Sequence, residues 1–320
     1  MPDPISKKKI WMVAGGVLAV FIAGTLFATW KYIRAEKAAY ERRDEAKNTE
    51  QNITWGIEAY RMGADEEVKT FFSRLGSSAT DAQKLDGWRG AVFGTKEAEG
   101  AVMAYFAKDP SPEFDTAAVR EARGSFLFLM RDFTGAEQEF RKANAHDPQN
   151  EHAIRGIAKS LREQGQFNEA VRWNLEAVKL HPQNAAVWLG LGRTYQMMGE
   201  NEKGLEAIET ALRLSPNLGE AHVVKARILL AKDSYDAALE SSHQAVSILE
   251  TPRGAPQQPI AHINIMTGYM VRASIFEAKK DAQNAIKDYE HALSMPAYSE
   301  YHEFFQNKAR ERLTALREQR

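Results

Sequence analysis

Five basic side chains, Arg155, Lys159, Arg162, Arg193 and Arg227, are the residues of this chain whose type and spacing point to chemistry. Lys159, Arg193 and Arg227 follow one another at intervals of 34 residues, and Arg155 and Arg162 flank the first of them by one turn of helix. Ammonium and guanidinium groups recurring in this way are suited to holding acidic groups, the guanidinium through paired N–H donors that match a carboxylate. Covalent chemistry finds no comparable constellation. The eight histidines are dispersed without an HExxH pair, cysteine is absent, and neither a P-loop nor a G-x-S-x-G elbow occurs. Gly76-Ser77-Ser78 reads as a turn. The expectation is therefore no enzyme, no metal and no cofactor.

The spacing of 34 belongs to a wider repeat that must position those cations. Ala143, Ala177, Ala211 and Ala245 fall in the same register, and Pro148, Pro182 and Pro216 follow the first three. The third copy reads Trp188-x2-Leu191-Gly192-x2-Tyr195 before Pro216. On these residues the chain resembles the tetratricopeptide repeat (TPR) family, whose repeats are pairs of antiparallel helices of this length. The resemblance implies an all-α fold, a right-handed TPR α-solenoid with a concave, partner-binding face, and recognition in place of catalysis. Four repeats are expected at 117–251, as 117–150, 151–184, 185–218 and 219–251. A Pro-rich insert at 252–259, a fifth TPR-like repeat at 260–298 and a C-terminal capping helix at 299–320 follow. Phe304, Phe305, Leu313 and Leu316 give that last helix an apolar side with which to cover the open end of the stack.

In the TPR family the first helix of each repeat lines the concave groove. The resemblance places Lys159, Arg193 and Arg227 at its ninth position in three successive repeats, with Arg155 and Arg162 one turn either side. Helices pack about 10 Å apart, close to a Debye length, so their fields would add and favour a protein or acidic peptide as partner. Leu189, Met197 and Val223 are expected to line the same groove and accept apolar anchors of a bound segment. The two-carboxylate clamp of chaperone-binding TPR domains is missing, because Glu121, Ser125 and Gly156 stand where its residues would be. An Hsp70 or Hsp90 tail is therefore not the expected ligand.

Residues 10–30 carry no charge and are bounded by Lys7-Lys8-Lys9 and by Lys31 and Arg34. A run of that length predicts a transmembrane helix after a basic tail at 1–9, with Trp11, Trp30 and Tyr32 as interfacial anchors. Gly15, Ala19 and Ala23 place small side chains on one face of it, a stripe suited to helix packing and self-association. A helical stalk is expected at 31–63 and a TPR-like N-terminal cap at 64–116.

The chain has a formal net charge of -1, which gives no reason to expect nucleic acid as a partner. The leading expectation is a membrane-anchored scaffold or adaptor that helps organise an envelope protein complex, in a single-pass protein of a bacterial inner membrane with a periplasmic solenoid. Counting positive charges alone tips the solenoid slightly toward the cytoplasm, where a regulatory adaptor would be the role. A periplasmic holding chaperone for unfolded clients is the other alternative.

Overall fold

The computed structural model describes residues 115–250, 259–295, 297 and 299–318, with 52, 53, 56, 100, 102, 104 and 109. Among the described residues all regular structure is helical. The elements are α1 Ala117–Leu129, α2 Phe133–His146, α3 Glu151–Glu163, α4 Phe167–Leu180, α5 Ala185–Met198, α6 Asn201–Leu214, α7 Gly219–Ala231, α8 Tyr235–Glu250, α9 Pro259–Ala278, α10 Ala282–Ser294 and α11 Glu300–Glu318. Among them no helix is long and apolar enough to cross a membrane. The expected membrane segment 10–30, with Gly15, Ala19 and Ala23, lies outside the described residues, as do nearly all of the stalk and of the N-terminal cap and residues 252–258 of the insert.

Local sequence sets each helix boundary. Thr116, Asp132, Asn150, Asn184 and Asp281 cap helix N-termini with side-chain oxygens that accept from backbone N–H groups. Each first helix ends in a tight turn with one residue in the left-handed region: Arg131 (φ 61°), Gly165 (77°), Gly199 (79°), Asp233 (57°) and Lys280 (60°). That turn reverses the chain so that the second helix returns along the first.

Helix pairs close over alanines. Ala136, Ala143, Ala170, Ala177, Ala211, Ala238, Ala245, Ala285 and Ala292 are fully buried, and a larger side chain at any of them would force the pair apart. Small positions on the first helices work with them. A Cβ added to Gly156 would lie 2.5 Å from the Phe140 ring of the preceding pair. A Cβ added to Gly192 of α5 would lie 2.7 Å from Ile208 and 3.1 Å from the Gly204 carbonyl of α6. Trp188 donates from Nε1 to the Pro182 carbonyl at 2.8 Å, tying the proline turn to the helix that follows.

The first and last pairs add buried ion pairs. Arg123, 1% exposed, and Arg120 both donate to Glu139, at 2.8 and 3.1 Å. Arg272 grips Asp288 through Nε and Nη2 at 2.7 and 2.8 Å. In both cases a first-helix arginine meets an acid sixteen residues on, on the second helix of its own pair.

Helix α9 has 20 residues against 13 or 14 in α1, α3, α5 and α7. Pro259, expected to close the insert, is its first residue, which suits proline because a missing N–H there breaks no intrahelical bond. Helix α11 packs Ala309, Leu313 and Leu316 against Ala273 of α9 and Ala285, Ile286 and Tyr289 of α10.

Candidate functional site: a cationic inner wall

Helices α1, α3, α5, α7 and α9 adjoin one another in sequence along one wall of the stack. Lys159 and Arg162 on α3, Arg193 on α5 and Arg227 on α7 lie within electrostatic reach of one another on that wall. Arg155 is engaged one turn earlier on its own helix, with Nη1 2.7 Å from Glu151.

The wall does not face open solvent along its whole length. The N-terminal end of α11 reaches the first described pair, where Tyr301 meets Phe128 and Phe133 with ring centroids 5.4 and 6.3 Å away. Phe305 stacks edge-on to Tyr301 at 5.0 Å and also packs with Val246, Met266 and Tyr269. Arg131 lies 3.8 Å over the Phe304 ring. Helix α11 is thus more than an end cap. Its second half covers α9 and α10 while its aromatic first half crosses to α1 and α2.

That crossing runs beside the cations, of which Arg162 is buried while Lys159, Arg193 and Arg227 stay partly exposed. Arg162 is 4% exposed, and among the described residues its ionic partner is Glu163, at 3.4 Å from Nη2. The Nε of Arg162 and the Nε of Arg193 are buried and make no hydrogen bond. Gln196, which repeats the place of Arg162 one period later, likewise has a buried, unpartnered side-chain oxygen. Lys159 sets its ammonium 3.8 Å above the Phe128 ring, a cation–π contact and not an ion pair.

Titration follows from this crowding. Burial, reinforced by Arg162 and Arg193, pushes Lys159 down to about 7. Burial and then Arg193 lower Arg162, and the same two causes bring Arg227 down to about 10. Tyr301 is raised to about 12 by burial and then by Glu163, so its hydroxyl keeps its proton and remains a donor.

Of the apolar residues expected in the groove, Met197 is 40% exposed on α5. Leu189 and Val223 do not belong with it. Leu189 is 8% exposed and packs with Ile208, Ala221 and Val224, and Val223 is 3% exposed and packs with Ala226, Val271 and Ile275. Both fill the joints between helices, where a β-branched or γ-branched side chain is too short to reach past its neighbours. Sequence reasoning did not place Tyr301, Phe128 or Gln196 in the site. Phe128 and Gln196 were legible, because each stands a multiple of 34 residues from Arg162. Nothing local signals that Tyr301 lies among residues more than 70 positions away.

Three models of the tetratricopeptide repeat match this chain. One, described as TPR repeat, covers residues 158–199, and two described as Tetratricopeptide repeat cover 189–246 and 267–297. The chain is a tetratricopeptide repeat protein.

Solved structures agree on the fold of this TPR protein. A thermophilic TPR protein of Thermus thermophilus superposes with a TM-score of 0.52 at 18% identity, over 62% of this chain and 98% of that one. Yeast Tom70 gives a TM-score of 0.51 at 16% identity, over 90% of this chain and 59% of that one. Among curated proteins, Hsp70-Hsp90 organizing protein 1 of Glycine max is 24% identical over 149 residues, 46% of this chain. The match spans 26% of that relative's length.

Proposed function

We propose that this TPR protein is a non-enzymatic adaptor that takes an acidic segment of a protein partner at the inner wall of its solenoid. Anchored through residues 10–30, it would help organise an envelope complex. One observation carries the reading: among the described residues, four cations on three successive first helices are accompanied by one carboxylate, Glu163. A field of that sign steers acidic segments toward the wall before any contact forms. Met197, exposed beside it, offers a soft apolar contact to such a segment. The similarity to an Hsp70-Hsp90 organizing protein supports binding of other proteins as the general task, while the clamp residues it would need for chaperone tails are absent.

Site-specific photo-crosslinking tests this in cells. A photoreactive residue at Met197 should trap a partner that one at Leu175, 47% exposed on the second helix α4, does not. Adding Lys159→Glu and Arg193→Glu should abolish the adduct with helical content unchanged. Equal trapping from both positions, or trapping that survives the charge reversal, would refute the reading. The side of the membrane is read in parallel. The chain has no cysteine, so a single Lys179→Cys, 74% exposed, is a unique target for an impermeant thiol reagent in intact cells. Labelling supports the periplasmic placement, and protection until lysis overturns it.

A further inference from the structure

The cations beside α11 are unbalanced in a way that a protein partner outside α11 does not resolve. Among the described residues Lys159, Arg162, Arg193 and Arg227 bring four positive charges, and Glu163 returns one. Desolvated like charges repel strongly in a medium of low polarity, and an arginine does not escape by giving up its proton at neutral pH. Hydrogen bonding is also incomplete: the Nε groups of Arg162 and Arg193 are shut off from solvent with no acceptor, and Arg162 as a whole is 4% exposed. Buried donors of this kind are rare unless a ligand or ion satisfies them.

The donor set specifies the ligand. Three guanidinium groups, one ammonium and a phenolic hydroxyl lie within electrostatic reach of one another, and every one is a donor when charged or protonated as here. Gln196 adds an amide that can turn its NH2 toward the same space, since its oxygen has no partner to hold it. A carboxylate would leave two positive charges uncompensated, and a dianion leaves one. The tetrahedral oxygens of a phosphate also accept from several directions at once, as donors arriving from three different helices and from Tyr301 require.

We propose that the cluster beneath α11 is a binding site for a phosphate-class dianion, held by Arg162 and Arg193 with Lys159, Arg227 and the Tyr301 hydroxyl around it. Bound there, the ion joins α3, α5 and α7 to α11 and fixes the aromatic end of α11 across the wall. The site stands independently of the partner reading, because its ligand is small enough to lie beneath α11.

Calorimetric titration of the full chain with inorganic phosphate, at constant ionic strength in a phosphate-free buffer, tests the assignment. Saturable binding is expected, with a matching rise in Tm. Arg162→Gln with Arg193→Gln should weaken binding by at least about tenfold, a loss of two charge-assisted contacts. In phosphate-free buffer that variant should unfold no earlier than the wild type, because it sheds uncompensated charge, and this outcome also establishes that it folds. Arg193→Lys, which keeps the charge and loses the Nε–H, should fall between the two. Phosphoserine as a second titrant separates the sources: tighter binding than inorganic phosphate indicates a phosphorylated ligand, and weaker binding indicates the free ion. Absence of saturable phosphate binding, an equal response in the double variant, or equal affinity for acetate would each overturn the proposal. None of these results depends on crosslinking at Met197.

Discussion

Lys159 offers the sharpest test of whether the inner wall is as crowded with charge as its geometry indicates. A free lysine titrates at 10.5, and this one is drawn down to about 7 by burial, by Arg162 and by Arg193, with Glu163 opposing and Arg155 contributing less. The sign follows from proton counts. Between pH 7 and 10.5 the unfolded chain holds a proton at this position that the folded chain has released, so stability rises with pH across that window. Below pH 7 both states are charged and the folded state bears the whole penalty. At about 1.4 kcal/mol per pH unit the ceiling is about 5 kcal/mol, and residual solvent contact reduces the expected value to about 2 kcal/mol. Lys159→Met keeps the stem against Phe128 and removes the charge. In urea unfolding without phosphate, the variant should be more stable than the wild type by about 2 kcal/mol at pH 6, and the difference should shrink as pH rises above 7 and approach zero only near pH 10.5. Adding phosphate should shrink it at pH 6 as well, because a bound dianion restores the reason for Lys159 to stay charged. A difference that is constant with pH, or a variant that is less stable at pH 6, would refute the reasoning.

Other substitutions test the packing. Gly156→Ala places a methyl 2.5 Å from a rigid ring and should lower stability by about 1–3 kcal/mol, with Phe140→Leu in the same chain recovering part of the loss in thermal unfolding. Lys280→Gly relieves a left-handed backbone at φ 60° and should raise the unfolding midpoint by the equivalent of about 0.5–1 kcal/mol, while Gly199→Ala at φ 79° should lower it by about 1 kcal/mol. Glu139→Gln removes the negative charge that Arg120 and Arg123 share and turns one acceptor oxygen into an NH2 donor, and it should destabilise by about 3 kcal/mol, seen in hydrogen exchange first in α1 and α2. Asp115, held at about 2 from the usual 3.8 by its hydrogen bond to Arg120, adds stability above pH 4 that is lost as pH falls toward 2, so Asp115→Asn should flatten the acid limb of a pH–stability curve.

The repeat was legible because a period of 34 is written in small residues and prolines, which answer to local demands. Ala143, Ala177, Ala211 and Ala245 are small because two helices touch there, and that contact forms between residues close in sequence. The ninth-position cations were legible on the same ground, since one helix face repeats through the stack. Leu189 and Val223 were misplaced because a face seen in projection does not reveal how deep the neighbouring helix sits, and α6 to α9 approach closely enough to bury both. The crossing of α11 was beyond sequence reasoning. Its apolar side reads as a cap for the last pair, and Ala309, Leu313 and Leu316 do serve that end. Whether Tyr301 then reaches Phe128 depends on the accumulated curvature of five helix pairs, a sum of small rotations that no single motif encodes.

The near-zero total charge conceals this arrangement because acids and bases are sorted by position. Several carboxylates outside the inner wall are engaged in pairs with nearby bases: Glu137 and Glu169 with Arg141, Glu202 with Lys232, Asp236 with Lys279, Glu277 with Arg312, and Glu290 with Arg317. Most of these pairs lie in solvent, where each contributes little to stability. Among the described residues the inner wall keeps its cations with Glu163 beside them, and there the rings of Tyr301, Phe128 and Phe133 shield part of the wall from solvent. A charge that is nearly cancelled over the whole chain is therefore concentrated at one wall of the solenoid. An anion gains most in the same place, since the low polarity that makes the apo cluster unfavourable also strengthens each bond to an ion that enters it.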